Sequence, residues 1–594
     1  MQAPRARLTC LNRRGRPRPP WGRAVELRVP MPSISALPSR AVLWVVFAAI
    51  VVLWFANLGT RALVHPDEGR YAEIAREMAE TGDWVTPRLN GLKYFEKPPL
   101  QYWATAAAFR AFGVHEWTAR LWPALTGLLA VVAIGIAGRA LGGTAHGVVA
   151  AIALAGTLWH AGMAQILTLD AGLAFFLALA FSAFVIAQRP GTGPRTRRRW
   201  MWVVWVAMAG ATLSKGPIGL ALPAGALVVY SLLNRDINVW CRLHLASGSA
   251  LYLILVAPWF IAVARANDEF LSFFFVHEHL QRFLTEEHQR TGPWYYYLPL
   301  ALAGSLPWLV VLAVGGKDAW RDGGTSPGVF SWRRLSLAWA GFVLVFFSLS
   351  GSKLPSYILP MFAPLALVAA DLVLTLRART LNRLSLPGAM LASVVAIALL
   401  VGYDRIVLRL ADGPQPVEIL AAYGPWLKAA MLVAAAGSVA AVFLFRRAEA
   451  APVARFWGAS SLALSTLVAV VLAVAGFEAF SPTRSTSAIL RTAQAAAPFA
   501  PGAPFYQIAM YDQTVPFYLG RTTTLVAFRD ELALGIDAEP ARQIPSVPEW
   551  VVRWRERDDG YAMMPPAEFA QLAADGLPMR VLARDARRVI VSRR

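Results

Sequence analysis

Apolar residues run through this chain in uninterrupted stretches of about 20, each closed by Arg, Pro or Gly. A helix of that length crosses a hydrocarbon core with every backbone group bonded internally. Such stretches fall near residues 41–58, 118–138, 143–162, 168–188, 200–214, 217–233, 244–264, 295–315, 335–350, 354–376, 384–402, 424–445 and 457–478. They predict a polytopic α-helical membrane protein of about 13 transmembrane helices. Elsewhere the pattern changes. Residues 1–40 are rich in Arg and Pro without periodicity and read as a basic, disordered leader, with Met31 as an alternative start. The first apolar run reads as an uncleaved anchor, and residues 41–479 as the membrane domain. Its loop 59–117 carries two pieces, around Asp67–Glu80 and Pro98–Phe112, whose apolar and charged residues recur at helical spacing. Both are expected to be juxtamembrane helices lying along the interface. In the tail, residues 480–594, the runs 503–519, 522–528 and 580–591 and the segments 549–553 and 566–576 predict a small α/β domain.

Charge orients this pattern. With the N-terminus inside, the basic links at 195–199, 235–242, 317–334, 377–383 and 446–455 all face the cytoplasm, as the positive-inside rule requires. The loops 59–117 and 265–294 and the tail are then extracytoplasmic. The formal net charge of +21 is accounted for by these links and the leader, so nucleic acid is not an expected partner. A chain that is 57% hydrophobic and only 16% charged carries more apolar surface than a soluble core of this size buries. Two cysteines, Cys10 and Cys241, leave no disulfide framework and no thiol metal site.

The unusual polar residues gather on the outer side: His65, Asp67, Glu68, Glu96, Lys97, His115, Glu116, Asp170, Lys215, His277, Glu278, His279, Arg282, Lys353 and Tyr357. In HPDEGRYAE, Pro66 starts a helix whose first turn presents Asp67 and Glu68, either to a cavity at the membrane surface or simply as caps. In YFEKPPLQYW, Glu96 and Lys97 stand between aromatics and a Pro-Pro break. Asp170 in LTLDAGL and Lys215 in LSKGP lie at the ends of apolar helices, where a charge without a partner or water costs several kcal/mol. FFFVHEHLQRF offers His277 with a loop carboxylate such as Glu96 as ligands for a divalent metal such as zinc, or as interface histidines without a metal. Lys97, Arg282 and Tyr357 suit a lipid phosphate at headgroup depth, and also ordinary snorkelling to membrane lipids.

Seven ordered segments, HPDEGRYAEIAREM, GDWVTPRLNGLKYFEKPPLQYW, LTLD, LSKGP, FFFVHEHLQRF with GPWYYYLP, SKLPSYILP and MYDQTVPFYLGR, make the chain resemble membrane glycosyltransferases of the C-type fold. The match is to the bacterial 4-amino-4-deoxy-L-arabinose lipid A transferases, relatives of the protein O-mannosyltransferases, and it runs from about Arg61 onward. The resemblance implies a pentosyltransferase with undecaprenyl phosphate-linked aminoarabinose as donor and lipid A phosphates as acceptor. It places the active site on the periplasmic face of a bacterial inner membrane, with polymyxin and cationic-peptide resistance as the outcome. It also implies Asp67, Asp170 and Glu68 as catalytic carboxylates, and Lys97, Arg282 and Tyr357 as the donor phosphate clamp. Arg70, Tyr71, Tyr94 and Lys215 then line the sugar or acceptor cavity, and Glu96 with His277 form a metal site. Two alternatives stay open: transfer of another sugar, mannose or a hexosamine, to protein or another envelope lipid, and a lipid transporter. The absence of an obvious repeat and the collection of charge at one face weigh against the transporter.

Overall fold

The computed structural model describes residues 37–275, 292–322, 329–409 and 416–593. All 13 predicted apolar segments fall on helices. Two of them, 118–138 and 143–162, share the 40-residue helix Glu116–Ala155, which breaks at Gly142 and Gly143. Segment 295–315 is a broken pair, Tyr297–Gly304 and Leu309–Arg321, bent by 98°. Pro307 lies in the break, where its missing N–H and its ring end a helix. Among the described residues eight helices are long and apolar enough to cross a membrane, nine if the bent pair is one span. The difference from 13 has local causes. One long helix holds two segments, Arg40–Phe55 and Ile218–Asn234 are short, and Pro194–Lys215 opens on a run of arginines.

The tail forms the expected α/β domain, with more strands than the pattern gave. Its strands are β3 (Phe505–Ile508), β4 (Thr524–Val526), β5 (Gln543–Ile544), β6 (Tyr561–Met564), β7 (Arg580–Arg584) and β8 (Val589–Ser592), after the two-stranded hairpin β1 (Arg88–Leu89) and β2 (Leu92–Lys93) in the first loop. The sheet order is β5-β4-β3-β6-β8-β7, parallel from β5 to β6 and antiparallel beyond. Strict alternation buries both faces. In β6, Tyr561 and Met563 pack on the side of Ile489 and Leu490, while Ala562 and Met564 pack against Trp550 and Trp554. The alternation read over 503–519 holds only for β3, because Thr514–Leu519 is a helix.

The two amphipathic pieces of the first loop are helices, Asp67–Thr81 and Leu100–Phe112. The first is not interfacial. Every side chain from Glu68 to Met78 is buried, because the α/β domain covers the face that membrane surface was expected to cover. One hydrophobic cluster joins Tyr71, Ile74 and Met78 of this helix to Tyr511, Phe517, Leu525 and Ile536 of the domain. The buried charges of the helix find partners. Arg76 bonds both oxygens of Glu73 (2.7 and 2.5 Å), and Glu77 accepts from the Gly91 amide at 2.9 Å.

Asn90 and Gly91, both at positive φ (55° and 79°), make the tight turn of the β1–β2 hairpin. The Asn90 side chain then plugs into the domain, donating to the Thr523 carbonyl (2.9 Å) and accepting from the Thr523 amide (2.7 Å). Gly69 is also closely approached. A Cβ placed there would stand 2.7 Å from the Gln513 carbonyl carbon and 2.8 Å from the Thr514 nitrogen. Gly69→Ala should therefore lift the domain from the helix, at about 1–3 kcal/mol. Gly162→Ala, with nothing within 4 Å of the new Cβ, should be neutral. Thermal unfolding of the two variants in detergent checks this, and equal melting temperatures would refute the close docking.

Candidate functional site

The chain leaves its first helix at Phe55 and reaches Asp67 through a segment held by one carboxylate. Glu68 is buried and accepts six hydrogen bonds, three on each oxygen. Oε1 takes Arg61 Nη2 (2.9 Å), Arg120 Nε (2.9 Å) and the Leu167 amide (3.1 Å). Oε2 takes Arg61 Nη1 (2.7 Å), Arg120 Nη2 (2.8 Å) and the Val64 amide (3.1 Å). Burial alone would raise its pKa, but Arg120 and Arg61 outweigh that and hold it well below the usual carboxylate range. No lone pair is left for a substrate, so the expectation of a catalytic Glu68 gives way to a scaffolding one. Its partners join three elements: the loop before Asp67, the start of the Glu116–Ala155 helix, and the turn that precedes Asp170.

Asp67, the first residue of its helix, keeps 38% of its side chain exposed and accepts a single bond from Arg70 at 3.2 Å. Arg70 is buried and its other nitrogen, Nη2, pairs with Glu531 of the α/β domain. Burial raises the Glu531 carboxyl, and Arg70 opposes that. Around Arg70 stand Tyr94 and Glu96, both within electrostatic reach of the guanidinium. The Tyr94 hydroxyl is buried and has no hydrogen-bond partner among the described residues, and Tyr71 packs 6.1 Å from Tyr102. The tail thus supplies a carboxylate to Arg70, which no pattern in its sequence announced.

A second constellation lies where the helices Leu169–Gln188 and Pro194–Lys215 respectively begin and end. Lys215 donates to Asp170 and places its ammonium 4.4 Å from the Tyr357 ring centroid. Asp170, Lys215 and Tyr357, expected in three separate roles, are one unit: an acid neutralised by an ammonium that rests on an aromatic face. Nearby, the Lys353 ammonium donates to the Ser348 and Ser350 carbonyls at 2.9 Å each and stands 5.8 Å from the Tyr297 ring.

The Lys97 ammonium is 3.9 Å from the Glu96 carboxylate and donates to the Glu96 carbonyl at 2.8 Å. Arg282 and His277 lie outside the described residues. No group of three His, Cys, Asp or Glu side chains that could hold a metal occurs among the described residues, and Glu96 faces two cations.

Two signals in the sequence bore on Arg61 and Arg120. Arg61 follows the span 41–58 and Arg120 sits in the first residues of the span 118–138, both at an outer end where the positive-inside rule does not want an arginine. Glu68→Gln, which leaves two buried guanidinium groups without their counter-charge, should destabilise the protein by roughly 3–5 kcal/mol. Asp67→Asn should leave the melting temperature in detergent unchanged. Because the Glu68 pKa is depressed, its contribution is complete above the ordinary glutamate range and is lost as pH falls below it. A Glu68→Gln protein melting like the wild type would refute the scaffolding role.

The fold and site can be set beside known proteins. Residues 492–593 match the aminoarabinose transferase C-terminal domain family, and residues 41–277 match the dolichyl-phosphate-mannose-protein mannosyltransferase family. The chain is 36% identical over 329 residues to the undecaprenyl phosphate-alpha-4-amino-4-deoxy-L-arabinose arabinosyl transferase of Aeromonas salmonicida, covering 55% of this chain and 59% of that protein. The chain thus spans about three fifths of the length of the first curated relatives it matches. With the enzyme of the same description from Shewanella sediminis the identity is 33%, over 64% of this chain and 67% of that one. In three dimensions the match is longer. The crystal structure of ArnT from Cupriavidus metallidurans bound to undecaprenyl phosphate superposes with a TM-score of 0.86 at 35% identity, covering 94% of this chain and 99% of that one. Its apo state gives 0.85 at 36% identity, with the same coverage. This multi-span membrane protein belongs to the undecaprenyl phosphate-alpha-4-amino-4-deoxy-L-arabinose arabinosyl transferase family.

Proposed function

We propose that the protein transfers 4-amino-4-deoxy-L-arabinose from undecaprenyl phosphate to phosphate groups of lipid A, at the periplasmic face of the bacterial inner membrane. The observation that carries this reading is an open carboxylate, Asp67, beside a set of cations and aromatics, on a fold shared over 94% of the chain with an enzyme solved with undecaprenyl phosphate.

In this reaction the bond from the anomeric carbon to the donor phosphate oxygen breaks, and a bond to an acceptor phosphate oxygen forms. The acceptor is already ionised and nucleophilic, since the second pKa of a phosphate monoester is about 6, so no general base is required. The leaving undecaprenyl phosphate needs positive charge, which Lys97 and Arg282 supply, with Tyr357 as a hydroxyl donor. Asp67, whose side chain stays 38% exposed, pairs with the sugar ammonium and stabilises positive charge developing at the anomeric carbon. Asp170 acts through Lys215 and fixes the ammonium against Tyr357. Tyr71, Tyr94 and Arg70 shape the sugar or acceptor side of the cavity.

The test is lipid A mass spectrometry and polymyxin survival in a strain that makes the donor but lacks its own transferase. Wild-type protein should add a pentosamine mass increment, Asp67→Asn should abolish it, and Lys215→Met should reduce it by about 10- to 100-fold, the range of a mispositioned catalytic group. No increment from well-expressed wild-type protein would overturn the reading in favour of another sugar or acceptor.

A further inference from the structure

His65 lies two residues before Asp67 and meets the α/β domain at the turn between β7 and β8. That turn is firmly built. Arg588 is buried and donates to Asp585 (2.9 Å), Asp512 (3.1 Å) and the Pro482 carbonyl (2.8 Å), and the amides of Arg587 and Arg588 both donate to Asp585 Oδ1 (2.8 and 2.7 Å). Arg587, thus presented, extends Nη1 to His65 Nε2 at 2.7 Å and to the Thr483 carbonyl at 2.7 Å. The His65 amide in turn donates to the Arg484 carbonyl at 2.8 Å. A guanidinium only donates, so the Nε2 it meets must carry a lone pair and the imidazole must be neutral.

We propose that His65 and Arg587 form a proton-sensitive clasp through which the α/β domain holds the segment carrying Asp67, making both positioning residues for the transfer. The groups facing His65 are Arg587, Arg484 and Arg588, with Asp512 as the acid among them. Protonating the imidazole removes the acceptor and sets an imidazolium against a guanidinium. Burial lowers the His65 pKa from its ordinary value, and the three arginines lower it further against Asp512. The clasp therefore contributes fully above the ordinary histidine pKa of about 6.5 and weakens as pH falls below it.

This inference rests on the transferase reading for its kinetic test, so it has a second test on the protein alone. For the full chain in detergent with lipid-linked donor and lipid A, His65→Ala and Arg587→Ala should each lower kcat by roughly 5- to 20-fold at pH 7.5, a loss typical of a displaced catalytic group, with KM for the donor nearly unchanged. The double variant should be no worse than either single, because the two side chains form one contact. His65→Gln, whose amide oxygen accepts from Arg587 and does not titrate, should recover most of the loss and lack the acid limb below about pH 6.5. Losses that multiply in the double variant, or an acid limb kept by His65→Gln, would overturn the clasp. Amide hydrogen exchange over residues 62–69 at pH 7.5 should be about tenfold faster in Arg587→Ala than in wild type or His65→Gln. Equal exchange rates refute the clasp whatever the activity, while a wild-type protein that transfers nothing but shows the exchange difference would refute only the transferase reading.

Discussion

A carboxylate taken out of water is tolerated only where donors replace its hydration, and Glu68 has six of them, two guanidinium groups among their sources. Arg120 also donates to the carbonyls of Leu58, Arg61 and Ala62, and Arg61 to that of Gln165. The ion cluster thus fixes the first membrane exit, the start of the next long helix and the approach to Asp170 in one lattice of charge-assisted bonds. Asp67 is covalently adjacent to this lattice and Asp170 is three residues beyond its Leu167 contact. The two acids are placed by the same anchor, which itself does no chemistry.

Onto this anchor the α/β domain adds the outer wall. The Asp67–Thr81 helix is clasped between membrane domain and α/β domain, so most of its seven charges in 15 residues are buried, and Glu68, Arg70, Glu73 and Arg76 among them are ion-paired. The pairing reaches the site through Arg70, which spans Asp67 and Glu531. Glu531 holds one guanidinium nitrogen while Arg70 meets Asp67 with one bond, and the acid stays 38% exposed. A domain that looks like an appendage in the sequence thus governs the electrostatics of the acid it covers.

The limits of reading this site from sequence follow from range. Spans of about 20 apolar residues are local signals, and every one lies on a helix. The Asn90–Gly91 turn and the Pro66 helix start are equally local. Glu68 next to Asp67 offers no local distinction from it; what separates the roles is Arg61 and Arg120, the latter 52 residues away, and only the fold brings them together. Glu531, in the unremarkable stretch FRDELAL, lies 461 residues from Arg70, and nothing short-range marks it. The interfacial reading of the Asp67 helix erred for a related reason. A buried helix lined with ion pairs and a surface helix have the same pattern of charge, and only what packs against it decides.

Charge balance then separates the two constellations. The Asp170 carboxylate is matched by Lys215, so this pair adds little net field to the cavity, and the aromatic face of Tyr357 takes up part of the remaining positive potential of the ammonium. Among the described residues around Arg70, the acids Asp67, Glu531 and Glu96 stand with the guanidinium and the Lys97 ammonium. In the proposed reaction these acids suit a cationic sugar, while Lys97 beside them suits a phosphate. Under the proposed function, donor recognition would divide by sign: the sugar's ammonium to the acid side and its leaving group to the cationic side, with the anomeric carbon between them. Stabilisation of both developing charges then requires no residue to move, because the Glu68 anchor and the Arg70–Glu531 pair have already set the two sides in place.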